Sequence, residues 1–155
     1  MRSGLILSLL VLVVSMRLMA VEFPLQGPSL TGGKGAVDPV ANKKPVVLVF
    51  WASWCASCVR EMPALQKFHT ASSSKADLIS CTIDTEADNA KKCVAKQQLT
   101  YPVILDGEMK IADCFTVDET PTMILLGANG KVLARGRSLE QLSKALSELG
   151  VKTTR

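Results

Sequence analysis

The chain is expected to be an α/β protein with a central mixed β-sheet flanked by helices on both faces. Three observations carry that expectation. The run at 46–52 is apolar and β-branched without interruption, as a strand buried on both faces requires, and 78–84 is a second strand signal. Segments with helical spacing alternate with these runs, which places crossover helices against a parallel pair. Two further strand signals, at 123–126 and 131–135, flank Ala128-Asn129-Gly130, a hairpin turn that adds an antiparallel partner. A length of 155 residues allows one compact domain.

The elements follow in order. Residues 1–20 read as a secretory signal, with Arg2 as the charged start, an apolar stretch at 4–16, and Leu18-Met19-Ala20 before the cut. The apolar stretch is short against the roughly 20 residues of a spanning helix. Arg17, directly after it, is unusual for a cleaved signal and keeps an uncleaved membrane anchor as the alternative. Residues 21–43, rich in Gly and Pro, form an irregular or edge-strand lead-in. The domain proper spans 44–150, followed by a tail at 151–155.

Within the domain the first strand leads into a helix at 57–70, where Val59, Met62, Leu65 and Phe68 make a stripe of spacing three. Pro63 is expected to kink it. A second helix at 87–98, a short strand at 101–105 and a brief helix at 111–117 come next. Ser138 with Gln141 three residues on is a capping-box start for the last helix, and Gly150 ends it.

The formal charge of +4 falls by two when Arg2 and Arg17 leave with the signal. So small and dispersed an excess gives no reason to expect nucleic acid or anionic membrane as a partner. Trp54-Cys55-Ala56-Ser57-Cys58 carries far more. Two cysteines separated by two residues, at a strand-to-helix junction, can open and close a disulfide within one turn. Unpaired N–H groups and the partial positive charge of the helix N-terminus favour the thiolate at Cys55, the species that attacks a disulfide. The expected chemistry is thiol–disulfide exchange, which needs no bound cofactor. Zinc is not expected, because there is a single CxxC and a single histidine, His69. His69 itself is read as a surface residue at a helix C-terminus, where imidazolium is favourable, and Trp51 as core.

The stretch 49–58, Val-Phe-Trp-Ala-Ser-Trp-Cys-Ala-Ser-Cys, resembles the active-site segment of the thioredoxin superfamily, and is most similar to its exported TlpA/ResA-like branch. Glu61 and Pro63 after the second cysteine continue that pattern, and Phe115 to Thr122 resembles the family loop with a cis-proline facing the site. Residues 87–105 match the helix–strand insertion that separates this branch from plain thioredoxin. The resemblance implies a thioredoxin-like fold with that inserted segment. It implies Cys55 as exposed nucleophile, Cys58 as the resolving thiol, and Glu61 as a proton-handling carboxylate. Trp54 would shield the sulfur and pack on substrate, Pro121 would be cis, and the Thr120 backbone would pair with an extended substrate strand.

Cys81 falls in the second strand and reads as a small buried residue. Exposed thiols of an exported protein tend to oxidise. Of the three pairings among Cys81, Cys93 and Cys114, Cys93–Cys114 is the expected second disulfide, since neither lies in a central strand. It would either brace the fold or pass electrons to the first pair.

Potentials in the superfamily run from about −270 mV in thioredoxin to about −120 mV in the strong periplasmic oxidant. Ala56-Ser57 matches neither the Gly-Pro of the first nor the Pro-His of the second, and departs from the Pro-Pro or Gly-Pro of the TlpA-like branch. The family default leans reductive. The expectation is an exported, periplasmic or extracytoplasmic monomer that reduces protein disulfides, apocytochrome c thiols among its clients, and is re-reduced by a membrane thiol–disulfide donor. A disulfide oxidase or isomerase would use the same residues. A copper- or zinc-binding metallochaperone would hold metal through Cys55 and Cys58. A peroxidase is least favoured, for want of an activating threonine and arginine around a single cysteine.

Overall fold

In the central strand, Val47, Val49 and Trp51 point to one side and Val46, Leu48 and Phe50 to the other, and all six are buried. Strict alternation with apolar residues on both faces requires a layer of structure on each side. The computed structural model describes residues 21–33 and 35–153, so the signal expected at 1–20 lies outside the described residues.

In chain order the elements are β1 (Leu25–Gln26), β2 (Ala36–Val37), α1 (Pro39–Asn42), β3 (Val46–Trp51), α2 (Ala56–Ser72) and β4 (Asp77–Thr82). They continue with α3 (Ala87–Lys96), β5 (Val103–Leu105), α4 (Lys110–Cys114), β6 (Thr122–Leu126), β7 (Val132–Gly136) and α5 (Leu139–Glu148). The main sheet has the order β5-β4-β3-β6-β7. β3 pairs in parallel with β4, and β4 with β5, whereas β6 runs antiparallel to β3 and β7 antiparallel to β6. This is the mixed sheet expected of a thioredoxin-like fold, with α3 and β5 as the inserted pair.

The two faces have different covers. On one, Met62, Leu65 and Phe68 of α2, Ala90 of α3 and Leu139, Leu142 and Leu146 of α5 pack on Val47, Val49 and Trp51. On the other, Ile111 and Ala112 of α4, Phe115, and Leu25 and Val37 of the small β1–β2 hairpin pack on Val46, Leu48 and Phe50. The lead-in also lines the free edge of β5, through Leu30 N–H to the Val103 carbonyl and Leu105 N–H to that of Pro28, each 2.8 Å. Its turn needs Gly35, because a Cβ there would lie 2.0 Å from the Gly27 carbonyl oxygen.

Local chemistry moves some boundaries from their expected places. α2 runs through Pro63 without a break, although the proline has no N–H to give the Val59 carbonyl. The brief helix stops at Cys114, not 117, because Thr116 takes a left-handed φ of 52°. β5 begins only at Val103. At α5 the Ser138 hydroxyl accepts from Gln141 N–H at 3.3 Å, but the Gln141 side chain reaches back to Arg137 N–H at 2.6 Å, one residue beyond the usual capping box.

Candidate active site

The site grows out of the carboxyl end of β3. Cys55 N–H donates to the Ala52 carbonyl at 3.1 Å, a tight turn that delivers Cys55 to the N-cap of α2. There its sulfur accepts from Cys58 N–H at 3.2 Å, one of the donors a helix start leaves free. Cys55 and Cys58 are joined as a disulfide. Both are largely buried: Cys55 is 7% exposed and Cys58 2%. The expectation of an exposed Cys55 is therefore corrected to a sulfur with a narrow outlet, still the more open of the two. Trp54 next to it is 71% exposed and presents its ring to solvent. The Ser57 hydroxyl lies 3.4 Å from the Cys55 sulfur.

Pro121 follows a cis peptide at Thr120–Pro121 and is buried. It shares a tight crevice with Cys58, Glu61, Trp51, Tyr101 and Met123, so the second cysteine of the pair, the α2 carboxylate and the proline loop meet at one place. Glu61 is half-buried there. Thr120 is held from the far side, where Arg137 donates to its carbonyl at 3.2 Å and pairs with Glu119.

Sequence reasoning did not reach Asp84. It stands just past the end of β4 and is 3% exposed. Its carboxylate accepts from Ser53 N–H at 2.9 Å, from the Ser53 hydroxyl at 2.6 Å and from the Thr82 hydroxyl at 2.5 Å. Ser53 belongs to the loop that carries Cys55. The available signal was an acid closing a strand signal at the carboxyl edge of a parallel pair, where sites of α/β folds gather.

Other singled-out residues lie elsewhere. Trp51 is core, its indole N–H donating to Ser80 Oγ at 3.1 Å. His69 lies in the last turn of α2 as expected, but half-buried: it packs edge-on against Tyr101, ring centroids 6.0 Å apart, and burial lowers its pKa against the opposing pull of Asp77. The expected Cys93–Cys114 disulfide is not formed, and the layers explain why. Cys93 faces the α2 side of the sheet, 4.0 Å from the Met62 sulfur, and burial pushes its thiol up. Cys114 ends α4 on the opposite face, exposed, with its thiol donating to the Lys110 carbonyl. Cys81 is free and buried in β4, which raises its pKa. No group of three or more metal-ligating side chains occurs among the described residues.

A mixed sheet with a disulfide at the N-cap of its first long helix, faced by a cis-proline loop, defines a thioredoxin-fold protein with a dithiol site. The chain belongs to the Redoxin family, whose model matches residues 27–149. It is 32% identical to the thioredoxin-like protein YneN of Bacillus subtilis (strain 168), over 73% of this chain and 66% of that protein. It is 30% identical to a thiol-disulfide oxidoreductase ResA of Bacillus cereus, over 68% of this chain and 64% of that protein. The chain thus spans less than two thirds of the length of these curated relatives. A solved thiol-disulfide oxidoreductase from Bacteroides fragilis NCTC 9343 superposes with a TM-score of 0.71 at 25% identity, covering 84% of this chain and 98% of that one.

Proposed function

We propose that the protein is an exported thiol–disulfide oxidoreductase that reduces protein disulfides through Cys55 and Cys58. The observation that carries this reading is the Cys55–Cys58 bond at the start of α2, with Pro121 and Glu61 on the same crevice. In the reduced protein the Cys55 thiolate attacks one sulfur of a client disulfide. A mixed disulfide forms, and the second client sulfur leaves as a thiolate and takes up a proton. Cys58 then gives its proton to Glu61 and attacks the Cys55 sulfur. The mixed disulfide breaks, and the remaining client sulfur leaves as a thiolate and takes the proton back from Glu61. The client departs as a dithiol, and the two-electron oxidation stays in the Cys55–Cys58 bond.

Thr120 supplies the main-chain groups with which an extended client strand pairs, and the exposed Trp54 ring covers its flank. Clients include the haem-binding thiols of apocytochrome c. A membrane dithiol carrier restores the reduced state, and residues 1–20 direct the chain out of the cytoplasm. The Ser57 hydroxyl beside the Cys55 sulfur favours a second reading. A donor there stabilises the thiolate, and a stable thiolate makes an oxidant.

A Cys58→Ala trap tests the function. Cys55 attacks but is not released, so mixed disulfides with clients accumulate and are identified after non-reducing separation. Recovery of none from the native host would count against protein disulfide exchange. A redox titration giving a potential near that of the strong periplasmic oxidant would reverse the direction.

A further inference from the structure

The carboxylate of Asp84 is nearly sealed from solvent, and none of the ion pairs among the described residues includes it. Three donors hold it: Ser53 N–H, the Ser53 hydroxyl and the Thr82 hydroxyl. Hydrogen bonds rather than an ion pair therefore support the buried carboxylate, and they offset part of its desolvation. Ser53 is two residues before Cys55, and the Ala52–Cys55 turn folds the intervening backbone back on itself. The charge stands directly behind the loop that presents the nucleophile.

We propose that Asp84 is a positioning residue that anchors the active-site loop and, through its charge, biases the Cys55/Cys58 pair toward the reducing side. The inference rests on the exchange reading above. The reaction to consider is protein disulfide plus two glutathione thiols going to protein dithiol plus glutathione disulfide. Only the right-hand side contains a Cys55 thiolate; the protein disulfide is neutral at those atoms. A fixed anion behind the loop raises the free energy of the thiolate and leaves the disulfide untouched, so the equilibrium moves to the left. A protein poised in this way gives its electrons up more readily.

Other charged and titratable groups face the same pair. The α2 N-terminus and the Ser57 hydroxyl favour the thiolate. Glu61, on the crevice with Cys58, acts in the same direction as Asp84. Glu119 and Arg137 offset one another at the Thr120 loop. Cys93 on α3 feels the Asp84 charge from the opposite side. Arg60 on α2 is exposed to solvent screening.

The test compares the wild-type protein with Asp84→Asn, Asp84→Ser and Ser53→Ala. It measures the equilibrium constant with glutathione, the pH dependence of Cys55 alkylation, and Tm. Two neutral replacements of Asp84 are used so that one carries the test if the other does not fold. Both are expected to move the equilibrium toward dithiol by roughly threefold or more, the order of effect of removing one nearby unit charge, and to shift Cys55 alkylation to lower pH. The gap from wild type should close at acid pH, where Cys55 is a thiol in every variant. Ser53→Ala keeps the charge and should lower Tm alone. Wild-type equilibria in both Asp84 variants, or a Ser53→Ala shift as large as theirs, would overturn the proposal. Failure of the wild-type pair to exchange with glutathione at all would instead overturn the exchange reading beneath it.

Discussion

The Arg137 guanidinium lies on the carbonyl of Thr120, 3.2 Å away, from the loop between β7 and α5. That carbonyl is the acceptor an incoming client strand would seek on the proline loop, and Arg137 already fills it while paired to Glu119. On the proposed function, a client strand pairing there would share that oxygen with the arginine or displace it. Arg137→Ala is expected to lower KM for a disulfide peptide by about threefold, the worth of a modest net hydrogen bond. The reduction potential should not change. Steady-state kinetics with a quenched disulfide peptide checks this; a rise in KM would mean that the arginine braces the loop for binding.

Ser57 bears on the same sulfur from within α2. Its hydroxyl lies 3.4 Å from the Cys55 sulfur in the disulfide, and toward the thiolate the same contact becomes a stronger, charge-assisted hydrogen bond. Ser57→Ala should therefore raise the Cys55 thiol pKa and make the protein more reducing, by up to about 30 mV. A glutathione titration of the pair reads the shift directly.

Trp51 is fully packed and gives its indole N–H to Ser80 on the neighbouring strand. Ser80→Ala strands that donor in the core. The expected loss is about 1–3 kcal/mol in urea unfolding, with little effect on the redox equilibrium.

His69 makes stability depend on pH in the acid direction. Burial lowers its folded-state pKa below the ordinary 6.5, so the unfolded chain takes up the proton first. The stabilisation of the neutral ring is complete above the unfolded value and declines as pH falls through it toward the folded one. Unfolding free energy measured from pH 8 to 5 should drop in the wild-type protein more steeply than in His69→Gln.

The long apolar run at β3 and the stripe along α2 were legible because burial on both faces, or on one helical face, leaves its pattern in the residues themselves. The Ser138 cap and the motif from Trp54 to Cys58 were legible because the chemistry is local. What periodicity does not encode is which face of the sheet a crossover helix covers. For that reason Cys93 and Cys114 looked like partners, although α3 and α4 lie on opposite sides. Asp84 and Ser53 are 31 positions apart, and only the parallel register of Trp51 with Thr82 brings them together. His69 sits at the helix end as read, but its partial burial escaped the sequence because Tyr101, from the distant lead into β5, is absent from any local window.

The separation of Cys93 from Cys114 has a consequence for the life of the protein. The Cys55–Cys58 bond spans a sequence separation of three, inside the first turn of one helix, so it ties no two distant parts of the chain together. Among the described residues, no disulfide links one element of either core to another. The fold can form before any oxidant reaches it. It can also lose and regain its one working bond at every turnover without wearing out the frame around it.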